Sequence, residues 1–98
     1  MKQKDILANL KERFGITELN EMQKNVLSAY NQDGDIILLS PTGSGKTIAF
    51  LVPLLKALKE PNGNLQAVII APSRELVMQI GKVARDIATG HKVTCCYG

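Results

Sequence analysis

The sequence predicts an α/β fold with a mostly parallel sheet of about three strands flanked by helices. Short runs of apolar residues alternate along the chain with longer segments whose apolar residues recur at helical spacing. The short runs are apolar throughout, which is typical of strands covered on both faces of a sheet. With 98 residues, the chain is long enough for one small domain.

The N-terminal part of the chain predicts two helices. Residues 4–13 form the first, and Gly15 is expected to end it. Its apolar face consists of Ile6, Leu7 and Leu10. Residues 18–30 form the second. Its apolar stripe consists of Leu19, Met22, Val26 and Tyr30. A turn follows at 33–34, where Asp precedes Gly.

The remainder of the chain predicts three strands separated by two helices. In order, these are a strand at 35–39, a helix from about 45 to 59, a strand at 66–71, a helix at 73–89 and a strand at 92–97. Pro53 is expected to weaken or kink the first of these helices because proline has no N–H to donate. A turn at 61–64 follows this helix and precedes the strand at 66–71. The last helix has its apolar positions at Leu76, Ile80, Val83 and Ile87.

Composition excludes several classes of function. The net charge of +3 fits a polyanionic partner without requiring one. With two Phe, two Tyr and no Trp, an aromatic platform for stacking bases is not expected. No apolar run is long enough for a bilayer or for a signal peptide. The adjacent Cys95 and Cys96 are expected to be apolar thiols in a strand rather than a disulfide. These features predict a cytoplasmic protein.

Residues 40–47 (SPTGSGKT) nearly fit the phosphate-loop pattern G-x-x-x-x-G-K-[ST], with Ser40 in place of the first glycine. The mismatch is tolerable because backbone N–H groups form the phosphate cradle. Lys46 would supply a charge for the β- and γ-phosphates, and the Thr47 hydroxyl would ligate Mg²⁺, so these two are the predicted catalytic residues. The predicted phosphate-binding residues are Thr42, Gly43, Ser44, Gly45, Lys46 and Thr47.

The alternative for this segment is a Gly- and Ser-rich loop with an incidental lysine. The apolar strand before it and the amphipathic helix after it favour the phosphate loop.

A second polar cluster follows the strand at 66–71. Pro72 ends that strand, Ser73 is a good helix N-cap, and Arg74 lies in the first helical turn, where the helix dipole disfavours a cation. The position makes sense if the guanidinium and the helix N-terminus hold a phosphate together. Taken alone, the cluster fits an exposed arginine paired with a neighbouring acid better.

Together these motifs resemble the DEAD-box family of ATP-dependent RNA helicases. Residues 40–47 resemble its motif I, and 72–79 (PSRELVMQ) resemble motif Ia with Ser73 where Thr is usual. Residues 15–23 (GITELNEMQ) resemble the Q motif, and 34–35 match a Gly-Asp pair of the family. The final Tyr-Gly resembles the start of the GG motif. The resemblance covers nearly the whole chain.

The resemblance implies a fold and a set of roles. Residues 1–98 would be the N-terminal portion of the first RecA-like (P-loop NTPase) domain, with ATP and Mg²⁺ as cofactors. Gln23 would bind the adenine edge through its amide, and the backbone around Thr17 would lie near the adenine. The residues against the RNA backbone would be Pro72, Ser73 and Arg74. An alternative for Gln23 is a capping box with Asn20 at its own helix N-terminus, and one side chain could serve both purposes.

The chain also departs from the family pattern. Leu19 and Asn20 stand where the Q motif usually has Pro-Thr. The acidic motif that names the family does not occur in these 98 residues. We therefore expect the full-length protein to couple ATP hydrolysis to RNA unwinding and the isolated chain to be inactive. Family sheets place a later strand beside the phosphate-loop strand, so an exposed apolar edge and self-association are expected here.

Two other functions remain open at this point. One is a different phosphate-loop ATPase or a kinase-like domain in which residues 72–76 are merely structural. The other is a nucleotide-binding or RNA-binding module without catalysis.

Overall fold

The structure is a computed structural model that describes residues 1–30, 34–39 and 45–97. Four helices occur within these ranges, and they are α1 (Gln3–Phe14), α2 (Glu21–Tyr30), α3 (Lys46–Ala57) and α4 (Arg74–Ile87). They confirm the four predicted helices, with ends that differ by at most three residues. Asp33 of the predicted turn, residues 40–44 of the predicted phosphate loop and Gly98 of the GG-like motif lie outside the described residues.

The helix ends follow the signals in the sequence. α1 ends at Gly15, which has a left-handed φ of 68° and donates its N–H to the carbonyls of the last turn. α4 begins at Ser73, whose Oγ accepts a hydrogen bond of 3.2 Å from the Leu76 N–H. α3 continues through Pro53, so proline does not end the helix. The turn at 61–64 is closed by the Asn62 side chain, which accepts from the Asn64 N–H at 2.9 Å.

The predicted three-stranded sheet is not confirmed, because the described residues contain no strand. The expectation that residues 35–39 and 66–71 are covered on both faces is wrong for the described part of the chain. Ile37 is 87% exposed, Leu39 89% and Ile70 91%. Their neighbours Ile36, Leu38 and Ile69 are more covered. This alternation is that of an extended segment with one face towards the helices and the other open.

The core lies between the helices. α3 contacts α1, α2 and α4, and is the most apolar of the four helices. The buried cluster consists of Ile6, Leu10, Leu19, Ile48, Val52, Leu55, Ile87 and Ala88. It is therefore built from α1, α3, the end of α4 and the loop before α2. Leu7, which the sequence places on the same face as Ile6 and Leu10, is instead exposed at the edge of this core.

Polar side-chain and N-terminal contacts join α1 and the residues before it to the C-terminal ends of α3 and α4. The Asn9 side chain donates to the Ile87 carbonyl at 2.7 Å, which joins α1 to the last turn of α4. The Met1 ammonium group donates to the Leu55 and Leu58 carbonyls at the end of α3. These carbonyls lie at the C-terminal ends of α3 and α4, where those of Leu55 and Ile87 also accept bonds from the Leu58 and Thr89 N–H groups. Of the helices described, none has the length and apolar character needed to cross a bilayer.

Replacing Leu10 with alanine tests the assigned core. Leu10 is fully buried, so we expect Leu10→Ala to lower the free energy of unfolding by about 2 to 5 kcal/mol. Leu7→Ala on the same helix is the matched control and should cost less than about 1 kcal/mol, since Leu7 is exposed. Urea unfolding followed by circular dichroism measures both values. Equal losses for the two variants would contradict the assigned core.

We propose that the open apolar faces of residues 36–39 and 65–70 make the 98-residue chain self-associate. The double variant Ile37→Lys/Ile70→Lys should shift the chain towards monomer without loss of helix content, because both side chains are exposed. Met78→Lys, at an exposed apolar position on α4, is the control and should leave association unchanged. Sedimentation velocity over a range of concentrations measures the effect. If the 98-residue chain without substitutions is monomeric at every concentration, the proposal is wrong.

Candidate functional site

The predicted adenine-reading residue and the predicted phosphate loop meet at one point. Gln23 lies in the first turn of α2, and its side chain is buried, with 5% exposed. Its Nε2 donates a hydrogen bond of 3.3 Å to the Gly45 carbonyl, 22 residues further along the chain. Gly45 immediately precedes α3. The contact therefore joins the start of α2 to the start of α3.

The same glutamine takes part in a reciprocal capping box. The Gln23 N–H donates to Asn20 Oδ1 at 2.8 Å, and the Asn20 N–H donates to Gln23 Oε1 at 2.9 Å. The capping interpretation of Asn20 and Gln23 is thus confirmed. It also explains why α2 begins at Glu21 rather than at residue 18, since Asn20 closes the first turn. Because Oε1 is held by the cap, the amide presents Nε2 to Gly45.

Gly45 is constrained by both its conformation and its surroundings. Its φ of 86° lies in the left-handed region, which residues with a Cβ rarely adopt. A Cβ built on Gly45 would lie 2.6 Å from Gln23 Nε2. The close approach of Gln23 is therefore possible only with glycine at this position.

The start of α3 has the features of an anion site. Lys46 and Thr47 form its first two residues and are half-buried, and the first turn contains no acidic side chain. The N–H groups of a first helical turn lack partners within the helix and face outward with the positive end of its dipole. Three members of the predicted phosphate-binding set therefore lie together at this helix end. The others, Thr42, Gly43 and Ser44, lie outside the described residues.

Gly45, Lys46 and Thr47 could hold a nucleoside triphosphate with its magnesium ion. A glycine at the helix start, the helix N-terminus, the Lys46 ammonium group and the Thr47 hydroxyl are groups that commonly bind a phosphate chain and its metal ion. Gly45 and Lys46 would hold the phosphates, and Thr47 would supply one Mg²⁺ ligand. Among the described residues, no group of three or more His, Cys, Asp or Glu side chains could hold a metal ion.

Thr17 is placed in a different environment from Gln23. It is exposed and lines a groove between α1 and α2 whose described lining includes Leu7, Leu27 and Lys56 but neither Gln23 nor Gly45. Next to it, Glu18 accepts a hydrogen bond of 2.8 Å from Lys24. This bond and the Lys24 charge lower the pKa of the Glu18 carboxyl. Both side chains are exposed, so the pair contributes little to stability.

The predicted RNA-binding residues lie together at the start of α4. Pro72, Ser73 and Arg74 are all exposed, and Ser73 caps the helix as predicted. The guanidinium carbon of Arg74 lies 5.0 Å from the centre of the Tyr97 ring. Sequence reasoning did not find this contact, since nothing local relates residues 23 positions apart.

The geometry can be compared with known proteins. The model of the DEAD/DEAH box helicase family matches residues 20–98. The chain belongs to this family. Membership implies a RecA-like fold, although the described residues show only its helices. No solved structure matches the chain.

Several relatives are about 40% identical to the chain over the segment that they match. The DEAD-box ATP-dependent RNA helicase CshC of Bacillus cereus is 40% identical over 83 residues, which cover 85% of the chain. The ATP-dependent rRNA helicase RRP3 of Encephalitozoon cuniculi is 40% identical over 85 residues, or 86% of the chain. The matched segment makes up 21% of each of these two relatives. The chain thus spans about a fifth of their length.

Replacing Gly45 with alanine tests the geometry of this DEAD-box site. The left-handed backbone and the clash with Gln23 should together cost about 1 to 3 kcal/mol of unfolding free energy. Gly15→Ala is the matched control, because it has the same backbone strain but open space around its Cβ. In a Gln23→Ala background the cost of Gly45→Ala should fall to that of Gly15→Ala. An unchanged cost would show that Gln23 does not crowd Gly45. Urea unfolding measures all four variants.

Proposed function

We propose that the complete protein is an ATP-dependent RNA helicase of the DEAD-box type, and that residues 1–98 form the N-terminal portion of its ATP-binding domain. The observation that carries this proposal is the hydrogen bond between Gln23 Nε2 and the Gly45 carbonyl. It brings a residue suited to reading a base next to a helix end suited to binding phosphates. The names of the relatives, which are ATP-dependent RNA helicases, support the same function.

ATP selection would depend on the Gln23 amide. An amide offers a donor and an acceptor side by side, which matches the donor and acceptor on the edge of adenine. The capping box fixes which end of the amide faces Gly45, so the group is oriented before any nucleotide binds. Beyond these protein contacts, Nε2 has a second N–H and Oε1 a second lone pair to offer to a base. A base with the opposite pattern would place donor against donor and acceptor against acceptor, so it would bind less well.

The RNA contact would be made at the start of α4. Arg74 is exposed in the first turn of α4, and a guanidinium and a helix N-terminus both attract phosphate oxygens. Contacts of this kind bind the nucleic-acid backbone and carry no base specificity.

In the complete domain, residues 35–39, 66–71 and 92–97 would pair as strands of a mostly parallel sheet. The alternating exposure of Ile36 to Leu39 and of Val68 to Ile70 supports this proposal, since a period of two is that of a strand.

Measurement of RNA-stimulated ATP hydrolysis in the complete protein tests the function. Lys46→Ala should lower kcat at least about 100-fold, because it removes the charge proposed for the β- and γ-phosphates. Arg74→Ala should weaken RNA binding about tenfold, and the loss should shrink as salt rises. Lys82→Ala, an exposed charge further along α4, is the control and should change little. ATP hydrolysis that RNA does not stimulate would favour a phosphate-loop ATPase without RNA coupling.

The isosteric change Gln23→Glu tests nucleotide selection. It removes the donor from the amide, so we expect the preference for ATP over GTP to fall by about 10- to 100-fold. Asn20→Ala is the control, because it removes only the bond from the Gln23 N–H to Asn20 Oδ1. The backbone N–H of residue 20, which holds Gln23 Oε1, remains. Equilibrium titration of the complete protein with each nucleotide gives the ratio. An unchanged ratio in Gln23→Glu would rule out base reading by this residue.

A further inference from the structure

The segment that ends at Tyr97 is docked along one face of α4. Cys95 Sγ lies 3.4 Å from Arg85 Nη2 and 3.8 Å from the Val77 carbonyl oxygen. A Cβ added to Gly81 would overlap Cys95 Sγ, so the segment approaches α4 as closely as a glycine permits. Because residues 77, 81 and 85 are four apart, they lie on one face of the helix.

Tyr97 continues this line of contacts to the first turn of α4. Position 74 precedes 77 by three residues and therefore lies on the same face. There the Tyr97 ring lies under the Arg74 guanidinium, with 5.0 Å between the guanidinium carbon and the ring centre. Half of the Tyr97 surface is exposed. The docked segment thus holds an aromatic ring at the one end of α4 that is proposed to bind phosphate.

The contact has a physical role at this position. A cation in the first turn of a helix is repelled by the positive end of the helix dipole. The negative face of an aromatic ring offsets part of that repulsion. A guanidinium that lies with its flat face on an aromatic ring has its N–H donors in its own plane, directed away from that ring. Stacking on Tyr97 is therefore compatible with phosphate binding by Arg74.

We propose that Tyr97 is a positioning residue for RNA binding, which orders the Arg74 guanidinium so that less side-chain freedom is lost when it binds a backbone phosphate. The proposal rests on the proposed RNA contact of Arg74. It assigns Tyr97 no contact with RNA of its own. The aromatic face is what matters, and the phenol hydroxyl is not needed.

A double-mutant cycle with single-stranded RNA in the complete protein tests the proposal. Tyr97→Leu should weaken RNA binding about threefold, the size expected for an exposed cation–π contact. Tyr97→Phe keeps the ring and should bind RNA as the unchanged protein does. In an Arg74→Ala background, Tyr97→Leu should have no further effect, because the group that it positions is gone. Thermal unfolding of each variant checks that the fold is retained.

The outcomes separate the two proposals. If Arg74→Ala weakens RNA binding but Tyr97→Leu does not, the positioning role is wrong and the RNA contact stands. An equal loss from Tyr97→Leu with and without Arg74 overturns the positioning role in favour of direct stacking of the ring on RNA. If Arg74→Ala leaves RNA affinity unchanged, the RNA contact itself fails, and the role of Tyr97 fails with it.

Discussion

The side chain of Gln23 connects the parts on which the candidate site depends. Its Oε1 closes the capping box that begins α2, and its Nε2 holds the carbonyl of the residue that begins α3. The amide is buried, and a buried amide is costly unless its groups are paired. Both of its ends are paired here, one in each helix start. A shift of α3 relative to α2 would break the hydrogen bond between Gln23 Nε2 and the Gly45 carbonyl, so this bond helps to hold the two helix starts in register.

The packing of α3 in the core fixes the position of the proposed phosphate-binding groups at its start. Ile48, Val52 and Leu55 recur at helical spacing and lie in the core against α1 and α4. Lys46 and Thr47 precede this stripe and lie at the open end of the helix. A site at the end of a buried helix is positioned by the whole core. Apolar contacts further along α3 therefore determine where the Lys46 ammonium group and the Thr47 hydroxyl lie.

Local features of the fold and of the site could be predicted from the sequence. The four helices follow from a 3.6-residue period, and the caps at Ser73 and Asn20 follow from pairs three residues apart. Contacts between distant segments could not be predicted. The family resemblance places Gln23 and Gly45 in one nucleotide site, but it does not predict the bond from Gln23 Nε2 to the Gly45 carbonyl, nor the contact of Arg74 with Tyr97. These contacts are set by how helices and loops pack. The motifs predict that Gln23 and Arg74 are functional, and the structure shows which neighbours they contact.

The apolar runs show a further difference between a pattern and its environment. A continuous apolar run indicates burial on both faces of the strand. Yet Ile37, Leu39 and Ile70, which lie on one face of their segments, are almost fully exposed. Covering each such side chain would contribute about 2 kcal/mol, which is a strong drive towards a sheet. Pairing would also have a consequence for the site. Along the sequence, residues 35–39 precede α3, and residues 66–71 precede α4. The carboxyl ends of parallel strands share one edge of a sheet, so pairing would bring Lys46 and Arg74 to the same edge. Formation of the proposed sheet would then be the event that couples the nucleotide site to the RNA contact.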